Sequence, residues 1–156
     1  MNLEEPTRVV VLEKAPEPPA PAEKMPAEET QPEPPAPRRD RCVLISGGDR
    51  GIGAAAVLAL ARAGYNVAFT YHAHPEAAEA VAAQARALSP AGTFLPICAD
   101  AGDSAQVCAA VAQAEEALGS LQVLVCNAGI AQQKLFTDTT DEDWHRMMAV
   151  DLDGAF

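Results

Sequence analysis

Residues Ser46 to Gly53, which read Ser-Gly-Gly-Asp-Arg-Gly-Ile-Gly, carry the strongest chemical signal in this 156-residue chain. They follow a short apolar run, Cys42-Val43-Leu44-Ile45, and lead into an alanine-rich amphipathic segment. Glycines let a backbone turn tightly and come close to a phosphate, and the helix that follows offers free N–H groups at its positive end. A strand, a glycine turn and a helix in that order describe a cradle for the pyrophosphate of a dinucleotide. The glycines fall at 47, 51 and 53 rather than in the G-x-G-x-x-G order. Ser46, Gly47, Arg50, Gly51, Ile52 and Gly53 are the candidate phosphate residues. A second turn of small and polar residues, Asn127-Ala128-Gly129, follows another apolar run.

Hydrophobic spacing gives the elements that must hold these turns. Strand-like runs occupy 42–46, 66–71, 93–98 and 121–126. Between them, Ile52, Ala56, Ala59 and Leu60 mark a helical stripe, which Gly64 terminates. Pro75 opens a second helix reaching about Leu88, ended by Ser89-Pro90. Asp103 caps a third, with Val107, Ala110, Val111, Ala114 and Leu118 as its buried stripe and Gly119 closing it. A fourth begins near Thr140, with Asp143 as capping-box partner. This alternation predicts an α/β fold: a Rossmann-type doubly wound parallel sheet, truncated at about four strands, in the order 3-2-1-4. The ligand crevice then lies between the first and fourth strands, where both turns fall.

Ten of the thirteen prolines lie in residues 1–37, among many glutamates and few aromatic or β-branched residues. Such a stretch cannot bury enough apolar surface to offset its ordering entropy, so residues 1–40 read as a disordered tail and 41–156 as the ordered part. No apolar run has the length of a membrane span, and nothing resembles a signal peptide. The net charge of −11 argues against nucleic acid as a partner and for a cytoplasmic protein. Cys42, Cys98, Cys108 and Cys126 form no C-x-x-C motif, so they read as reduced core thiols and no metal is expected. His72 and His74 have no acidic or thiol partner spaced for metal binding.

The glycine spacing, with Ser46 in front and Arg50 before the second glycine, resembles the cofactor loop of the short-chain dehydrogenases/reductases. Cys126-Asn127-Ala128-Gly129 is similar to that family's Asn-Asn-Ala-Gly motif, and the stretch from Thr140 to Phe156 looks like the helix that follows it. The resemblance covers essentially all of 41–156 and is nearest to the 3-oxoacyl-acyl-carrier-protein reductases of fatty acid biosynthesis. It implies that Asn127, Ala128 and Gly129 lie along the cofactor ribose and that Asp100 accepts a hydrogen bond from adenine. It implies a small-molecule or carrier-bound ketone as substrate, and a homo-oligomer. The end of the second strand, Tyr71-His72-Ala73-His74, has no acid for the ribose hydroxyls of NAD. Arg50 can face a 2′-phosphate there, so NADP(H) is favoured over NAD(H), with Tyr71 at the cofactor. Asp49 stands where the family commonly has Ser, and its carboxylate either repels that phosphate or pairs with Arg50.

Carbonyl reduction needs a general acid for the forming alkoxide. In the family this is a tyrosine assisted by a lysine four residues later, with a serine orienting the carbonyl. No Tyr-x-x-x-Lys occurs here, since the tyrosines are Tyr65 and Tyr71 with Phe69 and Pro75 four residues on. Asp151 matches the family's asparagine that supports a proton-relay water, and it is the single catalytic candidate. The chain is therefore expected to bind cofactor, to leave its fourth strand as an exposed sheet edge, and to be inactive alone. A non-catalytic nucleotide-binding or interaction module, or a truncated gene product, is the alternative. His145 is expected to be exposed and Trp144 to pack as an anchor.

Overall fold

A computed structural model describes residues 41–156; the expected disordered tail, 1–40, lies outside the described residues. Strands β1 (Cys42–Ile45), β2 (Asn66–Tyr71), β3 (Phe94–Cys98) and β4 (Val123–Val125) alternate with helices α1 (Gly51–Arg62), α2 (Pro75–Leu88) and α3 (Ser104–Leu118). A 3-10 turn (Phe136–Asp138) then precedes α4 (Asp141–Met148), which runs on through a π-helical turn at Ala149–Asp153. The sheet is parallel throughout and ordered β3-β2-β1-β4, the doubly wound arrangement expected.

The register explains the apolar composition. β1 pairs with β2 from Cys42–Asn66 to Ile45–Phe69 and with β4 from Val43–Val123 to Ile45–Val125. A strand between two others, with helices on both faces, is buried all round, so its four residues are apolar and buried. Alternation still sorts the faces. Val43 and Ile45 join Val67, Phe69 and the residues of α1 and α2, while Leu44 and Ala68 join Ile97, Ala110 and Ala114 under α3. Full burial of Phe69 and Ile45 stabilises the first face by about 1.5–3 kcal/mol each.

Helix ends follow their local chemistry. The Asp103 side chain accepts from Ala105 N and Gln106 N, and Thr140 with Asp143 forms a complete capping box. Four expectations need correction. α1 buries Gly53, Val57 and Ala61 instead of the stripe through Ile52, and Ile52 is 83% exposed. Residues 54–61 are apolar on every side, so periodicity could not choose the face; the glycine that permits close approach did. β4 spans three residues rather than six, because the Gln122 side-chain oxygen takes the Cys42 N–H at 2.6 Å ahead of the ladder. Of the cysteines only Cys42 is buried; Cys98, Cys108 and Cys126 are exposed. Trp144 is 57% exposed rather than packed as an anchor. Among the described residues β4 is the edge of the sheet, with Val123 and Leu124 exposed.

Candidate functional site

From β1 the chain winds outward through β2 to β3, then returns over β1 to form β4 on its other side. The loops after β1 and β4 are therefore forced side by side, opening a crevice at the strands' carboxyl ends. A cleft of about 460 Å³ occupies that place. Its wall brings together the sequence-predicted residues Gly47, Arg50, Gly51, Ile52 and Gly53 with Asn127, Ala128 and Gly129. Tyr71 and Asp100 complete it from the ends of β2 and β3.

Two residues tie the loops together. The Ser46 hydroxyl accepts from Asn127 N and Ala128 N, each at 3.0 Å, so Ser46 supports the cleft from behind. The Asn127 amide returns the link, donating to the carbonyls of Ser46 and Gly47 at 2.9 Å each. Thr70, which the sequence did not single out, accepts from Gly47 N at 3.1 Å. Its place inside the apolar run of β2 gave no signal.

The glycines are shaped for an anion. A Cβ on Gly53 would lie 2.0 Å from Gly47 O and 2.6 Å from the Asn127 amide nitrogen, so α1 starts in backbone contact with the turn before it. Gly51 has φ +56° and only open space where a side chain would stand. The first turn of α1 holds no acidic residue, and no side chain caps it. Its leading N–H groups have no intrahelical partner, and Gly51, Ile52 and Gly53 line the cleft, which suits a pyrophosphate.

Charge at the rim is mixed. Arg50 is exposed, and its Nε pairs with the buried Asp49 carboxylate at 4.0 Å. Asp100 receives Arg146 Nη1 on Oδ2 at 2.9 Å and Nη2 on Oδ1 at 3.0 Å. The Arg146 hydrogen bonds hold its carboxyl below the usual carboxylate range against the opposing effect of burial, with help from Gly102 N and His72. Asp103 takes the cap role, leaving Asp100 free of it. Asp151 stands outside the cleft wall and accepts from Ile130 N at 2.8 Å, bracing the loop after β4. Arg146 was missed because 46 residues separate it from its partner.

A parallel 3-2-1-4 sheet with a glycine turn at its switch point defines a doubly wound fold of Rossmann type. Residues 41–156 match the short chain dehydrogenase family, and the chain belongs to it. It is 36% identical over 117 residues to the acetoacetyl-CoA reductase of Rhizobium meliloti, covering 74% of this chain and 45% of that protein. It is 35% identical over 116 residues to the 3-oxoacyl-[acyl-carrier-protein] reductase of Staphylococcus aureus, covering 74% and 46%. A short chain dehydrogenase from Burkholderia cenocepacia, solved in complex with NADP, superposes with TM-score 0.70 at 38% identity, covering 73% of this chain and 46% of that one. The chain spans about half the length of the curated relatives it matches.

Proposed function

We propose that residues 41–156 bind NADP(H) as the cofactor half of a reductase that converts a ketone, of the 3-oxoacyl type, to an alcohol. The carrying observation is the glycine turn feeding an α1 with no side-chain cap, opposite an acid-free end of β2 and beside the exposed guanidinium of Arg50. The names of the Rhizobium and Staphylococcus relatives and the NADP bound to the Burkholderia structure support the substrate class and the cofactor. The acidic composition supports a cytoplasmic setting without nucleic acid.

NADPH, when bound, supplies the hydride. The N–H groups of Gly51, Ile52 and Gly53 would hold its pyrophosphate, and Arg50 with Tyr71 would take its 2′-phosphate end. Asp100 would receive the adenine, and Asn127, Ala128 and Gly129 would hold the ribose. Asp151 keeps that loop in place through Ile130, and its second oxygen can accept from a water; having no amide, it cannot donate a hydrogen bond to that water as asparagine would. The 156 residues contain no Tyr-x-x-x-Lys to protonate the alkoxide. Asp151, which stands where the family has an asparagine and is bonded to Ile130 N, favours a second reading, a nucleotide-binding module without turnover.

Isothermal titration of the chain with NADPH and NADH, followed by incubation with NADPH and acetoacetyl-CoA, tests both. NADPH binding in preference to NADH is expected, without NADPH oxidation. Absence of nucleotide binding sinks the reading, and turnover removes the second one.

A further inference from the structure

Resting on the cofactor reading above, we propose that Arg146 is a positioning residue for adenine: with Val150 and Gly154 it forms a helix face that aims the Asp100 carboxylate into the cleft. The three residues are spaced four apart and share a face across α4 and the π-helical turn. All three meet the loop from Asp100 to Gly102. A Cβ on Gly102 would lie 2.8 Å from Arg146 Nη1 and 3.2 Å from Val150 Cγ2. A Cβ on Gly154 would lie 2.2 Å from Ala101 O, so backbone meets backbone where only glycine allows it. Val150 between them is buried. The loop is thus held against the helix at three successive turns.

The acceptor positions of Asp100 then show what the site can read. A carboxylate offers about four. Oδ1 is filled twice, by Arg146 Nη2 at 3.0 Å and Gly102 N at 2.9 Å. Oδ2 takes Arg146 Nη1 at 2.9 Å, and His72 Nε2 stands 3.8 Å away, too far for a hydrogen bond. Among the described residues one position on Oδ2 therefore stays open, and Asp100, Arg146 and His72 all line the cleft. An N–H donor satisfies that position, whereas a carbonyl oxygen is repelled by the negative charge. A 6-amino purine presents the donor and a 6-oxo purine the carbonyl. The two-point guanidinium contact stops the carboxylate from rotating away, which a single ammonium cannot do.

The test is isothermal titration of the full chain with NADPH and with its hypoxanthine analogue. The wild-type chain is expected to prefer NADPH by about tenfold or more, a preference that R146Q reduces to near unity while R146K falls between. A general loosening of the fold would weaken both nucleotides equally and leave their ratio alone. Should R146Q not fold, R146K decides, because its preference must fall severalfold. An undiminished preference in either folded variant, or equal affinities in the wild type, overturns the proposal. A wild-type chain that binds neither nucleotide overturns the cofactor reading itself.

Discussion

The side-chain amide of Asn127 donates to the carbonyl oxygen of Gly47 at 2.9 Å, fastening the loop after β4 to the loop after β1. Its other N–H goes to Ser46 O, so both donors are spent on backbone that the turn leaves without ladder partners. Asn127→Ala removes two bonds from a partly buried junction and is expected to cost about 1–3 kcal/mol. Asn127→Asp sets a carboxylate against two carbonyls and should cost more at pH 7 than alanine does. Urea unfolding of both variants checks this, and an aspartate variant more stable than the alanine one would refute the assignment.

Gly51 and Gly53 should fail differently. At Gly53 a methyl group meets Gly47 O at 2.0 Å, so Gly53→Ala must push α1 off the sheet and should lower the unfolding midpoint sharply. At Gly51 the methyl meets nothing, and only the φ of +56° resists it, at about 1–2 kcal/mol. Gly51→Ala should therefore keep its fold while losing nucleotide affinity, because the methyl enters the cleft. Equal effects of the two variants on stability, or full NADPH affinity in Gly51→Ala, would contradict this geometry.

Where a signal was local, the chain displayed it. Asp103 and the Thr140–Asp143 box are caps because short polar side chains beside a helix start have one good use, and both lie where the spacing put them. Strict alternation of strands and helices implied the parallel sheet, and the order 3-2-1-4 is that of the doubly wound fold. The face of α1 was hidden because Ala54 to Ala61 offers apolar surface in every direction. The exposed thiols of Cys98, Cys108 and Cys126 were misjudged because sulfur is usually buried, and only the packing of a given turn reveals otherwise. The Arg146–Asp100 pair lay beyond reach, since no pattern in one chain joins residues 46 apart. The Cys distribution gives its own check: a thiol reagent should modify three cysteines in the folded chain and Cys42 only on unfolding.

Cofactor choice should answer to Arg50 and Asp49. Arg50→Ala is expected to weaken NADPH binding about tenfold, the loss of one charge-assisted contact, while leaving NADH nearly unchanged. The NADPH preference should also shrink as salt rises, because Arg50 is exposed. Asp49→Ser releases the guanidinium and removes a nearby negative charge, so it should strengthen NADPH binding relative to NADH. Titrations at two salt concentrations measure all three effects. A parallel loss of both nucleotides in Arg50→Ala would place that side chain away from the 2′-phosphate.

Acid should loosen the two loops that α4 braces. Asp100 is held ionised by Arg146 and Gly102, and Asp143 by Lys134, Gln132 and the Thr140 N–H, so both folded pKa values lie below the ordinary 3.8. A carboxyl whose folded value is depressed stabilises the fold fully above its unfolded value, and that contribution is lost as pH falls through the folded one. Wild-type stability should therefore hold down to about pH 4–5 and then decline toward pH 2. Asp100→Asn and Asp143→Asn should be weaker than the wild type at pH 7 yet decline less steeply below pH 4, since each has already lost one titrating group. Asp103 and Glu142 are also depressed and remain in both variants, so the acid limb should flatten without vanishing. Urea midpoints at pH 7, 4 and 3 measure the slopes, and curves that run parallel to the wild type across that range would remove both carboxylates from the account.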